Sequence, residues 1–150
     1  MSSEQARTHT AVHVLKGAVQ QVLGANWTAS VFVSGIHGRL TVQFDRKPTS
    51  EEVARIEQAA NGKVSEGVEV MEFEMEKDEA EGHFGNVIYD LFPVPSSVTR
   101  LRIVRIPDWN INCCIENHVE NTSQVGKIKL GVPRFRNSRR ELELEFDLVA

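Results

Sequence analysis

The sequence predicts an α+β fold, a compact two-layer sandwich of mixed or antiparallel sheet and helices. Three observations carry this. Two stretches repeat apolar residues at helical spacing, several shorter ones alternate or run apolar at strand length, and hairpins interrupt the strand–helix alternation that a purely parallel sheet requires. At 150 residues the chain has the length of one domain, taken as 1–150, and buries enough surface to fold without covalent staples.

The first element runs from about Ala6 to Leu23. Ala11, Val12, Leu15, Ala18, Val19, Val22 and Leu23 recur at helical spacing, and Gly24 supplies a stop. Two strand-like stretches follow, Thr28 to Ser34 and Arg39 to Asp45, joined by a turn at Gly35, Ile36, His37 and Gly38. Pro48 and Thr49 open a second helix; Thr49 and Glu52 have capping-box spacing, and Val53, Ile56, Ala60 and Val64 line one face. In the next strand Met71, Phe73 and Met75 alternate with Glu72, Glu74 and Glu76, and this period of two sends the glutamates to solvent. A short helix from Asp78 to Gly85 and a loop from Asp90 to Ser97, holding Pro93 and Pro95, precede a strand from Arg100 to Ile106 that ends at Pro107. The tail from Lys127 to Val149 reads as two strands around a basic turn.

Acids outnumber bases 21 to 17, a net charge of −4, so global attraction to nucleic acid is not the organising feature; DNA is not an expected partner, and any RNA contact needs a local patch. The two cysteines, Cys113 and Cys114, are neighbours and make no disulfide framework, which points to a reducing compartment. Met1 to Arg7 holds no apolar stretch of signal length, and no run approaches the roughly 18 residues of a spanning helix. A soluble cytoplasmic protein with no membrane partner is therefore expected.

Four potential metal ligands fall into two pairs, His9 with His13 and Cys114 with His118, each separated by three residues. On a helix such positions share a face, and thiolate with neutral imidazole is a natural donor set for zinc. At about 100° per residue, His9, His13, Lys16 and Gln20 fall in one stripe, nearly opposite Ala11, Leu15, Ala18 and Val22. The histidines therefore face away from the core stripe, toward a ligand or toward solvent. The second pair has its own plain alternative, in which Ile111, Cys113 and Ile115 alternate inward and cysteine is a small core residue. The pairs lie about a hundred residues apart, so one site, with one zinc, requires the fold to join them.

At the level of motifs, Arg7-Thr-His-Thr-Ala-Val-His-Val-Leu and Cys114-x-x-x-His118-Val, with Thr122 and Val125-Gly126 beyond, resemble the editing domain of alanyl-tRNA synthetases. The likeness is greatest to the free-standing small editing proteins of the AlaX type. Asn26-Trp27-Thr28, Phe44 to Pro48, Tyr89 to Pro95 and Asp108-Trp109-Asn110 also fit, so the resemblance covers nearly the whole chain. It implies the α+β fold of the alanyl and threonyl editing domains and a zinc-dependent deacylase of mischarged tRNA(Ala), chiefly the seryl ester and secondarily the glycyl one. Carried over residue by residue, His9, His13, Cys114 and His118 match the family's zinc ligands, with Ile115, Glu116 and Asn117 where the synthetase pattern usually has glycines and a threonine. At 150 residues the sequence has no room for an aminoacylation domain, so an editing domain standing alone rather than a full synthetase is expected.

Zinc lowers the pKa of bound water or orients a substrate, and a catalytic site commonly uses three protein ligands. Of the four candidates, Cys114 or His118 is the one expected to be displaced or merely supporting. Serine differs from alanine by a hydroxyl, so an editing pocket needs a polar group to recognise it. Thr28 is the first candidate, against the alternative that it only favours its strand, and Gln20 and Gln43 follow. The basic patch is Lys127, Lys129, Arg134, Arg136, Arg139 and Arg140, which either contacts tRNA phosphates or balances Glu141, Glu143, Glu145 and Asp147 across the strands. Lys16, Arg46 and Lys47 are further phosphate candidates. Glu66 to Glu81 is read as a solvated acidic face, His37 and His83 as surface residues, and Trp109 as packing. Two other functions remain: a non-enzymatic zinc-stabilised RNA-binding module, and a metal-dependent esterase acting on another aminoacyl-tRNA.

Overall fold

The computed structural model describes residues 3–91 and 94–149, so Phe92 and Pro93 of the expected loop lie outside the described residues. In chain order the elements are α1 (Ser3–Leu23), β1 (Thr28–Ser34), β2 (His37–Gln43), α2 (Ser50–Glu66), β3 (Met71–Glu76), α3 (Lys77–Phe84), β4 (Arg100–Ile106), β5 (Asn110–Cys113), β6 (Lys127–Leu130), β7 (Arg134–Arg136) and β8 (Glu141–Val149), with short 3₁₀ turns at Gly85–Ile88 and Thr122–Gln124. The strands make two antiparallel sheets, one ordered β1-β2-β8-β6 with β7 also on β8, the other β3-β4-β5. The predicted α+β class holds. No helix among the described residues is long and apolar enough to cross a membrane.

α1 positions the site. It packs against β1, β2 and α2 on one side and β5 on the other, and every residue from Thr10 to Val19 is buried. A helix covered all round carries its polar stripe into the protein rather than to water. Along this stripe His13 and Gln20 meet Asn110 of β5 and Lys16 meets Thr28 of β1, and the alternative of solvent-facing histidines fails for His13, which is 7% exposed.

The main core joins Leu15 and Val19 of α1, Ile56 and Ala60 of α2, and Leu40, Val42, Leu142, Leu144 and Phe146 of the large sheet. The register sets Leu40 opposite Leu144 and Val42 opposite Leu142, so period-two patterns on both strands feed one face. α2 starts at the expected cap, where Thr49 accepts from Glu52 N and the Glu52 side chain accepts from Thr49 N, and it ends at Gly67 with φ 70°. The small sheet covers a second core of Ala80, Ile88, Tyr89, Leu101 and Ile103, joined by Phe73, Met75, Ile111 and Cys113.

The tail differs from the expectation of two strands. Gly131, Val132 and Pro133 interrupt it, and β6 and β7 pair separately with β8; Pro133 has no N–H for a ladder. β5 is a strand that the patterning missed, because its inward residues on one face are Asn110 and Asn112 rather than apolar groups. Ile111 and Cys113 do share the opposite, core-facing side, but the expected alternation stops there: Ile115 is 84% exposed, beyond the end of β5.

Candidate metal centre

The register of the small sheet assembles the site. β5 runs along β4, with Ile103 opposite Cys113, and delivers the chain to Cys114 beside α1. Arg102 of β4 then clamps the following turn: its backbone carbonyl accepts from Cys114 N at 3.1 Å, and its Nη1 donates to the carbonyls of Cys114 at 3.2 Å and Glu116 at 2.6 Å. Val119 N donates to Thr10 Oγ1 at 3.0 Å, which ties the far end of the segment to the buried face of α1. Positive φ at non-glycine residues occurs, among the described residues, only at Asp108 and Arg140. Ile115, Glu116 and Asn117 thus fill a turn that has no need of glycine.

The result is a group of three. One ligand atom each from His13, Cys114 and His118 lie within 4.8 Å of one another, and the two imidazole rings stand 4.8 Å apart at 61°. Each imidazole is held from its other nitrogen. His118 Nδ1 lies 2.9 Å from Glu72 Oε2, so Nδ1 carries the proton and Nε2 the lone pair. His118 Nε2 is buried and has no hydrogen-bond partner. A buried lone pair without a partner is costly, and an orphaned imidazole nitrogen beside a second imidazole and a thiol fits a metal ion of the zinc type. His13 Nδ1 lies 3.4 Å from Asn110 Oδ1, and Asn110 Nδ2 donates to Gln20 Oε1 at 3.0 Å. That chain turns the Asn110 oxygen toward His13 and leaves His13 Nε2 free.

Burial dominates the electrostatics. It pushes His13 down to about 3, reinforced by the neighbouring His118, and lowers His9 and His118 against the opposing pull of Glu116 and Glu72. The imidazoles are therefore neutral at pH 7, the form that binds metal. Burial raises the Cys114 thiol, so its thiolate needs a cation beside it.

His9 stands apart from the group. One helical turn before His13, it lines the same cavity of about 220 Å³ and places Nε2 3.9 Å from Glu116 Oε2. His9 thus lies outside the group of three, while the Arg102 clamp and Glu72 hold Cys114 and His118, the pair expected to supply the displaced or supporting member, within it.

Thr28 lines the cavity with His9, His13, Lys16, Val31, Asp90, Asn112, Cys114 and Glu116. Gln20 does not line it; it supports Asn110 from a neighbouring depression, and Gln43 borders a third one beside Tyr89. Lys16 is not available to phosphate: it is 2% exposed and donates to Thr28 Oγ1 at 2.6 Å. Arg46 is committed to Glu52 at 2.7 Å. Trp109 packs as expected, with Nε1 donating to Val14 O at 2.9 Å.

The six basic residues of the tail are all exposed, on β6, β7 and the turn before β8. Among the described residues Arg136 alone of them has an ion pair, with Glu143 at 2.9 Å. Glu72 is the residue that sequence reasoning missed. Its alternation with Phe73 does place it at the surface, yet that surface is where the segment after β5 lays down His118.

Residues 101–141, which include Cys114 and His118, match a family model described as the threonyl and alanyl tRNA synthetase second additional domain. The chain is similar to an alanine–tRNA ligase of Hyperthermus butylicus, 40% identical over 83% of the chain. It is also similar to one of Saccharolobus islandicus, 38% identical over 91%, and one of Methanopyrus kandleri, 34% identical over 93%. It spans 13%, 15% and 16% of the length of these three relatives.

Proposed function

Starting from a chain that is a relative of alanine–tRNA ligases over most of its own length, we propose that residues 1–150 form a single alanyl-tRNA editing domain. It hydrolyses mischarged tRNA(Ala), chiefly the seryl ester and secondarily the glycyl one. The observation that carries this reading is the buried, partnerless Nε2 of His118 within a group of imidazole and thiol donors, beside a cavity that also holds Thr28.

His13, Cys114 and His118, with His9 beside them, would hold one zinc ion per chain, which when bound supplies a water of lowered pKa or a charge that orients the ester. The chain's own residues do the rest. Glu72 and Asn110 keep the protons of His118 and His13 on Nδ1. Thr28, 4% exposed, presents a hydroxyl to the side chain of the acyl group, and Val12 and Val31 limit its size. Water adds to the ester carbonyl and the bond to the terminal ribose oxygen breaks, releasing serine and free tRNA. Lys127, Lys129, Arg134, Arg136, Arg139 and Arg140 contact tRNA phosphates, which gives affinity without reading sequence. Gln20 acts through Asn110 rather than on substrate. The protein works in the cytoplasm, where charged tRNA is made and used.

The test is hydrolysis of a panel of mischarged tRNAs by zinc-loaded protein. Seryl-tRNA(Ala) is expected to be cleaved well above its spontaneous rate and alanyl-tRNA(Ala) spared; cleavage of a different aminoacyl ester alone identifies an esterase of other specificity. A second reading, a zinc-stabilised RNA-binding module, draws on the way the ligand group bridges α1 and the segment after β5. Chelation separates the two: a structural ion takes the fold with it, whereas an editing site loses activity with the fold kept.

A further inference from the structure

Lys16 is a charged residue, 2% exposed, in the middle of a buried helix. Its Nζ donates to Thr28 Oγ1 at 2.6 Å. Both line the cavity beside Asp90, whose carboxylate favours the charge on Lys16 and accepts from Asn112 Nδ2 at 3.0 Å. Burial lowers Lys16 to about 8 against the opposing pull of Asp90, so the ammonium form still prevails at pH 7.

An ammonium has three donors and no acceptor. The bond between Lys16 and Thr28 therefore runs in one direction, with Thr28 giving a lone pair and keeping its own O–H. Among the described residues that O–H has no acceptor: the bond from Lys16 is the one that Thr28 Oγ1 makes. A hydroxyl in a cavity wall with its proton unspent donates into the cavity. Asn112 gives its Nδ2 donor to Asp90 Oδ1, and among the described residues no bond runs from Thr28 Oγ1 to either of them.

We infer that Lys16 is a positioning residue that makes Thr28 an obligate donor, so that the cavity selects an acyl group with a side-chain oxygen over one bearing hydrogen or methyl. What enters the cavity rests on the deacylase reading; the direction of the bond does not. Without Lys16 the Thr28 hydroxyl is free to turn, and its preference for an acceptor falls although the hydroxyl is still present.

The experiment compares wild type, Lys16→Met, Thr28→Val and the double variant. The kcat/KM ratio of seryl- to alanyl-tRNA(Ala) is read alongside the affinities of non-hydrolysable seryl and alanyl 3′-amides of adenosine. The seryl preference is expected to fall about tenfold in Thr28→Val, the scale of one hydrogen bond, by a similar factor in Lys16→Met, and no further in the double variant. Circular dichroism checks the fold. Should Lys16→Met unfold, Lys16→Gln replaces it, because its amide accepts as well as donates and the preference falls partway. A seryl preference unchanged in the Lys16 variant, or a double variant showing the product of the two single losses, overturns the inference. A wild type that binds the seryl amide preferentially but hydrolyses neither ester overturns the deacylase reading and leaves this inference standing. A wild type without seryl preference in either readout overturns the inference itself.

Discussion

Glu72 Oε2 lies 2.9 Å from His118 Nδ1 and 2.7 Å from Arg102 Nη2, so one carboxylate oxygen on an exposed strand face orients the imidazole whose other nitrogen is buried without a partner. A carboxylate behind a ligating histidine fixes its tautomer and raises its basicity. Replacing Glu72 with Ala is therefore expected to weaken zinc binding about 10- to 100-fold with the fold kept. Competition against a chelator of known affinity measures this, and unchanged zinc affinity in Glu72→Ala counts against the assignment of His118.

Acid destabilises the metal-free protein through its imidazoles. Burial holds His13 at about 3, against 6.5 in the unfolded chain, and lowers His9 and His118 in the same direction. Below pH 6.5 the unfolded chain takes up protons that the folded one refuses, so stability is full above about pH 6.5 and falls as the pH drops toward 3. For His13 alone the loss reaches about 2 kcal/mol at pH 5. Urea unfolding of stripped protein at pH 7.5 and pH 5 tests this, and equal midpoints contradict it.

Gly17 is where α1 lets Trp109 in. A Cβ at Gly17 would meet Trp109 Nε1 at 2.3 Å, and the same Nε1 donates to Val14 O. Gly17→Ala must displace the indole and break that bond, a loss of about 1–3 kcal/mol despite the better helix propensity of alanine. A thermal melt showing Gly17→Ala as stable as wild type refutes the close approach.

The basic tail separates into two kinds of charge. Arg136 is bound to Glu143, while Arg139 and Arg140 are exposed without ion pairs among the described residues. Arg139→Gln with Arg140→Gln is expected to weaken tRNA binding and to reduce the salt slope by about one per lost phosphate contact, with the rate on a minimal aminoacyl ester unchanged. Filter binding across a salt series reads both; an unaltered slope assigns these arginines to the solvated hairpin alone.

The candidate ligands were legible in the sequence because His9, His13, Cys114 and His118 are rare residue types at telling spacings, and three of them, His13, Cys114 and His118, come together in the fold. Their supports were not. Glu72 follows the period of a solvent-facing strand, and only the β3–β4–β5 register brings the segment after Cys114 back across it. Lys16 reads as a surface cation on a helix wheel, which assumes that one side of the helix is wet; α1 has protein on every side from Thr10 to Val19. Asn110 and Asn112 hid β5 for the same reason, since polar residues facing a site break the apolar alternation that marks a strand. His9 looked equivalent to His13 by spacing, yet it lies outside the group of three, with Nε2 3.9 Å from Glu116 Oε2.

The most direct test titrates zinc into metal-stripped protein while the hydrolysis of seryl-tRNA(Ala) is followed. The rate is expected to rise in proportion to added zinc and to level off at one equivalent per chain, with His118→Ala staying at the spontaneous rate throughout. A rate that never leaves the spontaneous value in the wild type, or one that is the same with and without zinc, contradicts the account.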